Sequence, residues 1–100
     1  MSLIYEVNIQ VSLDILDDYL SWLDIHISEI LDIDGFDSAK IYKESFTSSD
    51  SFALTIHYSV SNKAALDSYF TNNAEIMRQK GIDRFGDKFS ATRRILEKIN

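Results

Sequence analysis

The chain has 100 residues, of which 45% are hydrophobic and 26% are charged, a mixture typical of one globular domain spanning residues 1–100. It contains no cysteine, which excludes disulfide bonds, thiolate zinc sites and cysteine nucleophiles. The net charge is −6: residues 1–39 hold nine acidic and no basic side chains, and residues 40–100 hold seven acidic and ten basic ones. This balance offers no basic face for a phosphate backbone, so we expect no nucleic-acid partner.

Membrane and export signals are also missing from the pattern. No apolar run approaches the roughly 20 residues that cross a bilayer, and the first residues lack the basic segment of a secretory signal. We therefore expect no membrane partner and a cytoplasmic location.

The N-terminal part of the chain predicts a strand followed by a long amphipathic helix. Hydrophobic and polar residues alternate from 3 to 12, the period of a strand with one buried face. Ser12 or Asp14 can cap the following helix, which is expected to end near Ile33. At about 100° per residue, its hydrophobic arc covers almost half the circumference and includes His26. Such a wide arc suits a helix that packs on a sheet and also contacts a further element.

The middle of the chain predicts two strands joined by a polar turn. The strands are expected at about residues 36–46 and 52–60, with the serine-rich turn at 47–51 between them. In the later strand, apolar side chains alternate with polar ones such as Thr55 and His57. The strand therefore has one face for the core and one polar face.

A second helix and an ambiguous final segment complete the chain. The helix is expected over residues 63–80, capped by Ser61 or Asn62 and ended by Gly81. Residues 88–97 have helical propensity near their end, and neither alternating face is purely apolar. We interpret them as a strand, because the order βαββαβ then closes into an α+β, ferredoxin-like sandwich with an antiparallel sheet.

Both helices in that fold cover one face of the sheet, and the other face stays polar. This second face is expected to carry Glu6, Asn8 and Gln10 beside Thr55, His57 and Ser59. The strand at 36–46 adds either Lys40, Tyr42 and Glu44 or Ala39, Ile41 and Lys43, depending on its register. A mixed face of this kind suits solvent or a second copy of the chain, so that two sheets form a dimeric α/β barrel.

The spacing of several residues resembles an uncharacterised family of small bacterial proteins, classified as a domain of unknown function. The matching pattern spans the helices and a charged run: Trp22-x-x-x-His26-Ile27, Leu31, Gly35-Phe36, Tyr69, Ala74, Arg78, Gly81, then Arg84-Phe85-Gly86-Asp87-Lys88-Phe89 and Arg93. That family belongs to the ferredoxin-like dimeric α/β-barrel superfamily. The resemblance covers nearly the whole chain and implies this fold and a homodimer, but it implies no established reaction. Some superfamily members are cofactor-independent monooxygenases or haem-degrading enzymes.

His26 is the leading candidate for a catalytic residue. It lies in the hydrophobic arc of the first helix, one turn after Trp22, and an imidazole titrates close to neutral pH. The alternative is a structural histidine that donates a hydrogen bond to the backbone or to Tyr19. A neighbouring cavity would favour the functional interpretation.

Asn73 is the second candidate, because it falls in the middle of the buried stripe of the second helix. The two helices lie side by side in a ferredoxin-like sandwich, so Asn73 and His26 are expected to converge on a small-molecule pocket. Trp22 and Tyr69 are candidate walls of that pocket. Fold analogy with superfamily monooxygenases supports this grouping, without residue-by-residue correspondence.

The remaining polar motifs are more simply explained as structural. His57 is expected on the polar sheet face, in water or in a dimer interface. Arg84 is a candidate for anion binding, but it can instead pair with Asp87 across the bend at Gly86. The Asp32-x-Asp34-Gly35 sequence departs from a calcium loop in its glycine position, so we expect no metal.

Two functional hypotheses follow. The first is a homodimeric binding or assembly module without a cofactor, possessing a site for a small-molecule ligand. The alternative is a cofactor-independent monooxygenase or another small-molecule enzyme, with a pocket between helices and sheet near His26. RNA recognition is excluded, because the exposed face of the two central strands carries Glu6, Asn8 and His57 instead of the aromatic residues that stack on bases.

Overall fold

The computed structural model describes residues 3–44 and 50–99. Its elements in chain order are β1 (Leu3–Ser12), α1 (Leu16–Leu31), β2 (Phe36–Lys43), β3 (Ser51–Val60), α2 (Lys63–Asn72), α3 (Ala74–Phe85) and β4 (Phe89–Glu97). One turn of 3-10 helix, Leu13–Ile15, precedes α1. Most of the predicted polar turn and the predicted end of β2 fall at residues 45–49, outside the described residues.

The four strands form one antiparallel sheet in the order β2-β3-β1-β4. β1 pairs with both β3 and β4, and β2 pairs with β3. This arrangement confirms the predicted α+β ferredoxin-like sandwich. The ambiguous final segment is a strand because it pairs with β1 over its whole length, satisfying the backbone groups that an edge of β1 would otherwise expose.

The hydrophobic core lies between the helices and one face of the sheet. Strand register places the alternating apolar residues of β1 directly opposite those of β3. The buried core residues of these strands and of α1 are Leu3, Tyr5, Val7, Ile9, Val11, Leu54, Ile56, Tyr58, Val60, Tyr19, Leu23, Ile27 and Ile30. Burying each aliphatic or phenylalanine-sized side chain contributes roughly 1.5–3 kcal/mol, so this face determines how the helices dock.

The prediction of a second helix over residues 63–80 is wrong in two respects. The chain does not form one helix over residues 63–80, because it breaks at Asn73, whose φ of −128° separates α2 from α3. Gly81 does not end the helix either, since α3 continues to Phe85 and is followed by Gly86 at φ 60°. Gly81 is instead required for close packing: a Cβ there would lie 3.1 Å from Cζ of Phe89 and 3.2 Å from Cη2 of Trp22.

The helix starts match the predictions only in part. Asn62 caps α2, as one of the two predicted alternatives, and its side chain accepts a hydrogen bond of 2.8 Å from the backbone N–H of Ala65. Neither predicted residue caps α1 through its side chain. The Ser12 hydroxyl donates to the Asp14 carboxylate instead, and the 3-10 turn begins the helical segment.

The register of β2 decides which of its residues lie on the polar sheet face. A β-bulge between Phe36 and Ser38 shifts the strand, so Lys40 pairs with His57 and Tyr42 pairs with Thr55. Lys40 and Tyr42 therefore belong to the polar sheet face. None of the helices within residues 3–44 and 50–99 combines the length and the hydropathy needed to cross a membrane.

Candidate functional site: a cavity between the helices and the sheet

A partly enclosed cavity of about 50 Å³ lies between the helices and the sheet, and we call it the helix–sheet cavity. Residues from every helix and from three strands line it: Tyr5, Val7, Ile9, Tyr19, Trp22, Leu23, His26, Ile30, Ile56, Tyr58, Tyr69, Met77, Arg78, Gly81, Phe89, Ala91 and Arg93. A cavity that holds one water needs roughly 10–15 Å³ on this scale, so the space suits about four non-hydrogen atoms.

His26 lines this cavity and has an unsatisfied polar atom. Its Nδ1 is buried and has no hydrogen-bond partner within residues 3–44 and 50–99. The nearest carboxylate oxygen, on Glu29, is 3.9 Å away, beyond hydrogen-bond distance, and Glu29 pairs with Lys80 at 3.3 Å. Burial lowers the pKa of His26, only partly offset by the Glu29 charge, so the imidazole is neutral at pH 7 and its unprotonated nitrogen can accept a proton. At Nδ1, the described residues provide no hydrogen bond of the kind expected for a structural histidine, to the backbone or to Tyr19.

Aromatic rings form much of the cavity wall. Trp22 stacks on His26 with ring centroids 4.5 Å apart and an interplanar angle of 17°. Tyr19 packs 5.6 Å from Trp22 and 5.3 Å from Phe89. The i, i+4 spacing on α1 places Trp22 and His26 one turn apart on the same face, which explains their stacking. A planar ligand group can pack against such rings. Because Trp22 is the only tryptophan of the chain, a change in its fluorescence would detect ligand binding.

Three tyrosines in the wall keep their hydroxyl protons over the whole physiological pH range. Burial raises the pKa of Tyr69 to about 12, with a further contribution from Tyr5. Burial also raises the pKa of Tyr19 and of Tyr58. These phenols are therefore hydrogen-bond donors, not phenolates, which matters for the charge that the cavity can accommodate.

The structure brings together three of the five predicted site residues. His26, Trp22 and Tyr69 all line the cavity, whereas Asn73 and Arg84 do not. Asn73 is the junction between α2 and α3, where its backbone N–H donates to Tyr69 and its carbonyl accepts from Met77. Arg84 lies 5.4 Å from the ring centre of Phe85, and it makes no ion pair with Asp87 in the described structure.

Two arginines of the wall belong to the family pattern but were not predicted as site residues. Arg93 lies in β4, pairs with Val7 of β1 and so shares the helix-facing side with Phe89 and Ala91. Its alternation with these apolar residues is the signal that could have placed it on this side, where it is exposed at the edge of the sheet. Arg78 follows Met77 on α3, and its Nη2 donates a hydrogen bond of 3.2 Å to the hydroxyl of Tyr5. No feature of the helical pattern distinguished Arg78 from the neighbouring surface residues.

A second polar cluster occupies the sheet surface that faces away from the helices. We call this surface the open face, and its central residues are Ile4, Glu6, Asn8, Thr55, His57 and Arg94. Glu6 is only 4% exposed and accepts hydrogen bonds from Arg94, from Asn8 at 2.8 Å and from His57 at 2.8 Å. The Arg94 and Asn8 hydrogen bonds lower the pKa of Glu6 to about 2. The sequence predicted the Glu6–His57 proximity but not the role of Arg94.

Metal-binding side chains do not gather at either site. Across residues 3–44 and 50–99, no three His, Asp or Glu side chains come close enough to hold an ion together.

Residues 2–99 match a protein family described as "Domain of unknown function (DUF4286)". The chain belongs to the DUF4286 family. This match confirms the resemblance to an uncharacterised family and covers nearly the whole chain. Among curated proteins, none matches the sequence.

Solved structures share the DUF4286 fold at low sequence identity. A conserved protein from Methanosarcina mazei Go1 has a TM-score of 0.73 at 14% identity, covering 98% of this chain and 93% of the other. An ethyl tert-butyl ether d (ethd) family protein from Bacillus halodurans has a TM-score of 0.71 at 14% identity, with 99% and 100% coverage. SnoaB, a cofactor-independent oxygenase from Streptomyces nogalater, has a TM-score of 0.71 at 9% identity, with 98% and 94% coverage. At these identities the similarity supports the fold alone.

Proposed function

We propose that this DUF4286 protein forms a homodimer through its open face and binds a small molecule in the helix–sheet cavity of each subunit. The observation that carries the binding proposal is the helix–sheet cavity itself, which has aromatic walls and His26 in its lining. The Nδ1 atom of His26 is buried and has no hydrogen-bond partner among the described residues, which costs roughly 1–3 kcal/mol. Buried polar atoms without a partner are rare in proteins, and this supports a functional role for His26.

The binding proposal is tested with two neutral probes of about four non-hydrogen atoms each, acetamide and acetone, followed by the fluorescence of Trp22. We expect saturable changes with the unmodified protein. Gly81→Ala should weaken them, because the added methyl group would crowd Phe89 and Trp22 at the cavity wall. Gly86→Ala is the matched control, since a Cβ at Gly86 meets no atom within 4 Å. Absence of any saturable response, or an equal response in both variants, would contradict the proposal.

The dimer proposal depends on the composition of the open face. Glu6 is already buried there and accepts hydrogen bonds from Arg94 and Asn8. A second copy that covers this face would therefore not leave the Glu6 carboxylate without partners. Tyr42 is 48% exposed beside His57, with ring centres 5.2 Å apart. Ile4 and Leu96 are half-buried on the same face. A face with a satisfied polar centre and apolar neighbours is compatible with packing against its own copy.

Sedimentation velocity at micromolar concentration tests the dimer. We expect a dimer for the unmodified chain and dissociation for Tyr42→Lys on the open face. Ile25→Lys is the matched control, because Ile25 is also a large exposed hydrophobic residue, 66% exposed, but lies on α1 away from the sheet. A monomer in the unmodified protein, or equal behaviour of the two variants, would refute the dimer.

Cofactor-independent oxygenation is a second candidate function, favoured by the neutral imidazole of His26 at the cavity. In that reaction a CH₂ group and one O₂ give a C=O group and one water. His26 would accept a proton from the carbon and return it to the reduced oxygen. Malononitrile, which has an acidic CH₂ group and only five non-hydrogen atoms, is a suitable probe in an oxygen electrode. We expect oxygen uptake that disappears in His26→Gln; no uptake by the unmodified protein would refute this candidate.

A further inference from the structure

The charged side chains that line the helix–sheet cavity all have the same sign. They are Arg78 and Arg93, and no aspartate or glutamate belongs to the described lining. This is unexpected in a chain with 16 acidic and 10 basic residues and a net charge of −6. Both arginine side chains are exposed, so they place positive charge at the solvent-facing edge of the cavity, which disfavours cationic ligands.

Neither cavity arginine is neutralised by a carboxylate. Within residues 3–44 and 50–99, four other basic side chains form ion pairs with Asp or Glu: Lys63, Lys80, Lys88 and Arg94. Arg78 and Arg93 form none in that part of the chain. Arg78 is held by the hydroxyl of Tyr5, a neutral acceptor that leaves the guanidinium charge uncompensated. A guanidinium has five donors in a planar fork, a geometry that matches a carboxylate.

The other polar groups of the wall also favour an acceptor ligand. The protonated phenols of Tyr19, Tyr58 and Tyr69 can donate hydrogen bonds, and the neutral His26 can accept or donate according to its tautomer. None of these groups carries a negative charge that would repel an anion. The aromatic and aliphatic remainder of the wall suits a short apolar tail.

The volume restricts the size of the ligand. About 50 Å³ accommodates about four non-hydrogen atoms, the number in acetate. A tetrahedral oxyanion such as sulfate carries oxygen on every side and has no apolar end to pack against the aromatic and aliphatic part of the wall. Size, charge and shape thus converge on one class of compound.

We propose that the helix–sheet cavity selects a short-chain carboxylate of about acetate or propionate size, whose charge is balanced by Arg78 and Arg93. This inference rests on the proposed small-molecule function of the same cavity and adds the chemical class of the ligand. It also moves the anion site from Arg84, where the charged motif suggested it, to two residues that the fold brings together.

The experiment compares acetate with acetamide, its neutral isostere, at pH 7 and constant ionic strength. Trp22 fluorescence and titration calorimetry give the two affinities, with sulfate as the tetrahedral anion. We expect acetate to bind more tightly than acetamide and sulfate. Hydrogen bonds to charged groups are worth about 1.5–3 kcal/mol, so Arg93→Gln should weaken acetate binding about tenfold or more and should weaken acetamide binding much less, because acetamide has no charge to balance.

Three further variants make the result decisive. Arg93→Lys keeps the charge but loses the planar fork, and should bind acetate with intermediate affinity while preserving the fold. Lys98→Gln removes the same charge at an exposed position outside the cavity and should change nothing. If acetate affinity falls in Arg84→Gln instead of Arg93→Gln, the charged motif holds the anion and our inference is wrong.

The outcomes also separate this inference from the function on which it rests. Acetamide or acetone binding without a preference for acetate would overturn the carboxylate inference and leave the small-molecule function standing. Binding of neither acetate nor the neutral probes would overturn both.

Discussion

The buried carboxylate of Glu6 permits a quantitative prediction about stability and pH. Glu6→Gln keeps the shape of the side chain but removes the charge that Arg94, Asn8 and His57 stabilise. The pKa of Glu6 falls from 4.5 to about 2, and each pKa unit corresponds to about 1.4 kcal/mol of folding free energy. The full shift would thus be worth about 3 kcal/mol as an upper limit.

The expected loss is smaller because the cluster lies at a surface. The Arg94 side chain is 66% exposed and the His57 side chain is 30% exposed, so solvent screens the charges that face Glu6. The glutamine amide can also retain part of the hydrogen bonding. We therefore expect Glu6→Gln to reduce the free energy of unfolding by about 1–2 kcal/mol at pH 7.

The pH dependence follows from the sign of the shift. The folded pKa of Glu6 is depressed, so its contribution is complete above the unfolded value near 4.5 and is lost as the pH falls through about 2. Urea unfolding of both proteins, at one protein concentration and several pH values, measures this. The difference between them should be constant from pH 7 to 5 and shrink between pH 4.5 and 2. Asp67→Asn, which breaks the exposed Lys63 pair, is the control and should cost less than about 0.5 kcal/mol. A difference that is absent at pH 7, or unchanged at pH 2, would refute the reasoning.

Three further substitutions test the packing by urea unfolding. Gly35→Ala should destabilise the protein by several kcal/mol, because Gly35 has φ +88° and the new Cβ would lie 2.3 Å from Cβ of Ala65. Gly86→Ala should cost only about 1–2 kcal/mol, because its φ is positive but no atom lies within 4 Å of the new Cβ. Equal losses in the two variants would contradict this. Asn62→Ala removes the α2 cap and should cost about 1 kcal/mol, whereas no change would show that the cap is dispensable. Leu66→Ala, at a position 1% exposed, should cost about 2–5 kcal/mol, and a loss below 1 kcal/mol would mean that the core collapses around the deletion.

Local periodicity was sufficient where a segment has one buried face. In β1 and β3 apolar and polar residues alternate, so the approximate boundaries and the buried face of each strand could be predicted from its own sequence. The final strand was harder, because β4 is an edge strand with exposed residues on both faces and a charge, Arg93, on the helix-facing side. Its pairing with β1, not its own pattern, makes it a strand.

The second helix shows where local signals fail. Glycine often follows the end of a helix, yet Gly81 lies inside α3, where a Cβ would come within 3.1 Å of the Phe89 ring and 3.2 Å of the Trp22 ring. The helix break at Asn73 could not be predicted from a glycine or proline, because neither residue occurs beside it. That break removes Asn73 from the regular buried stripe, so the predicted convergence with His26 could not be judged from a helical projection.

The sequence by itself determined the order of elements, the faces of the central strands and the proximity of Trp22 and His26, because these depend on residues within one turn or one strand. Tertiary structure alone decided which distant side chains share the cavity and which charges are paired. Arg78 and Arg93 come from a helix and a strand that are adjacent only after β4 has joined β1, and the partners of Glu6 come from three strands. Such groupings depend on strand order and register, and these are determined by the pairing and packing of the whole sheet, not by the residues of any single segment.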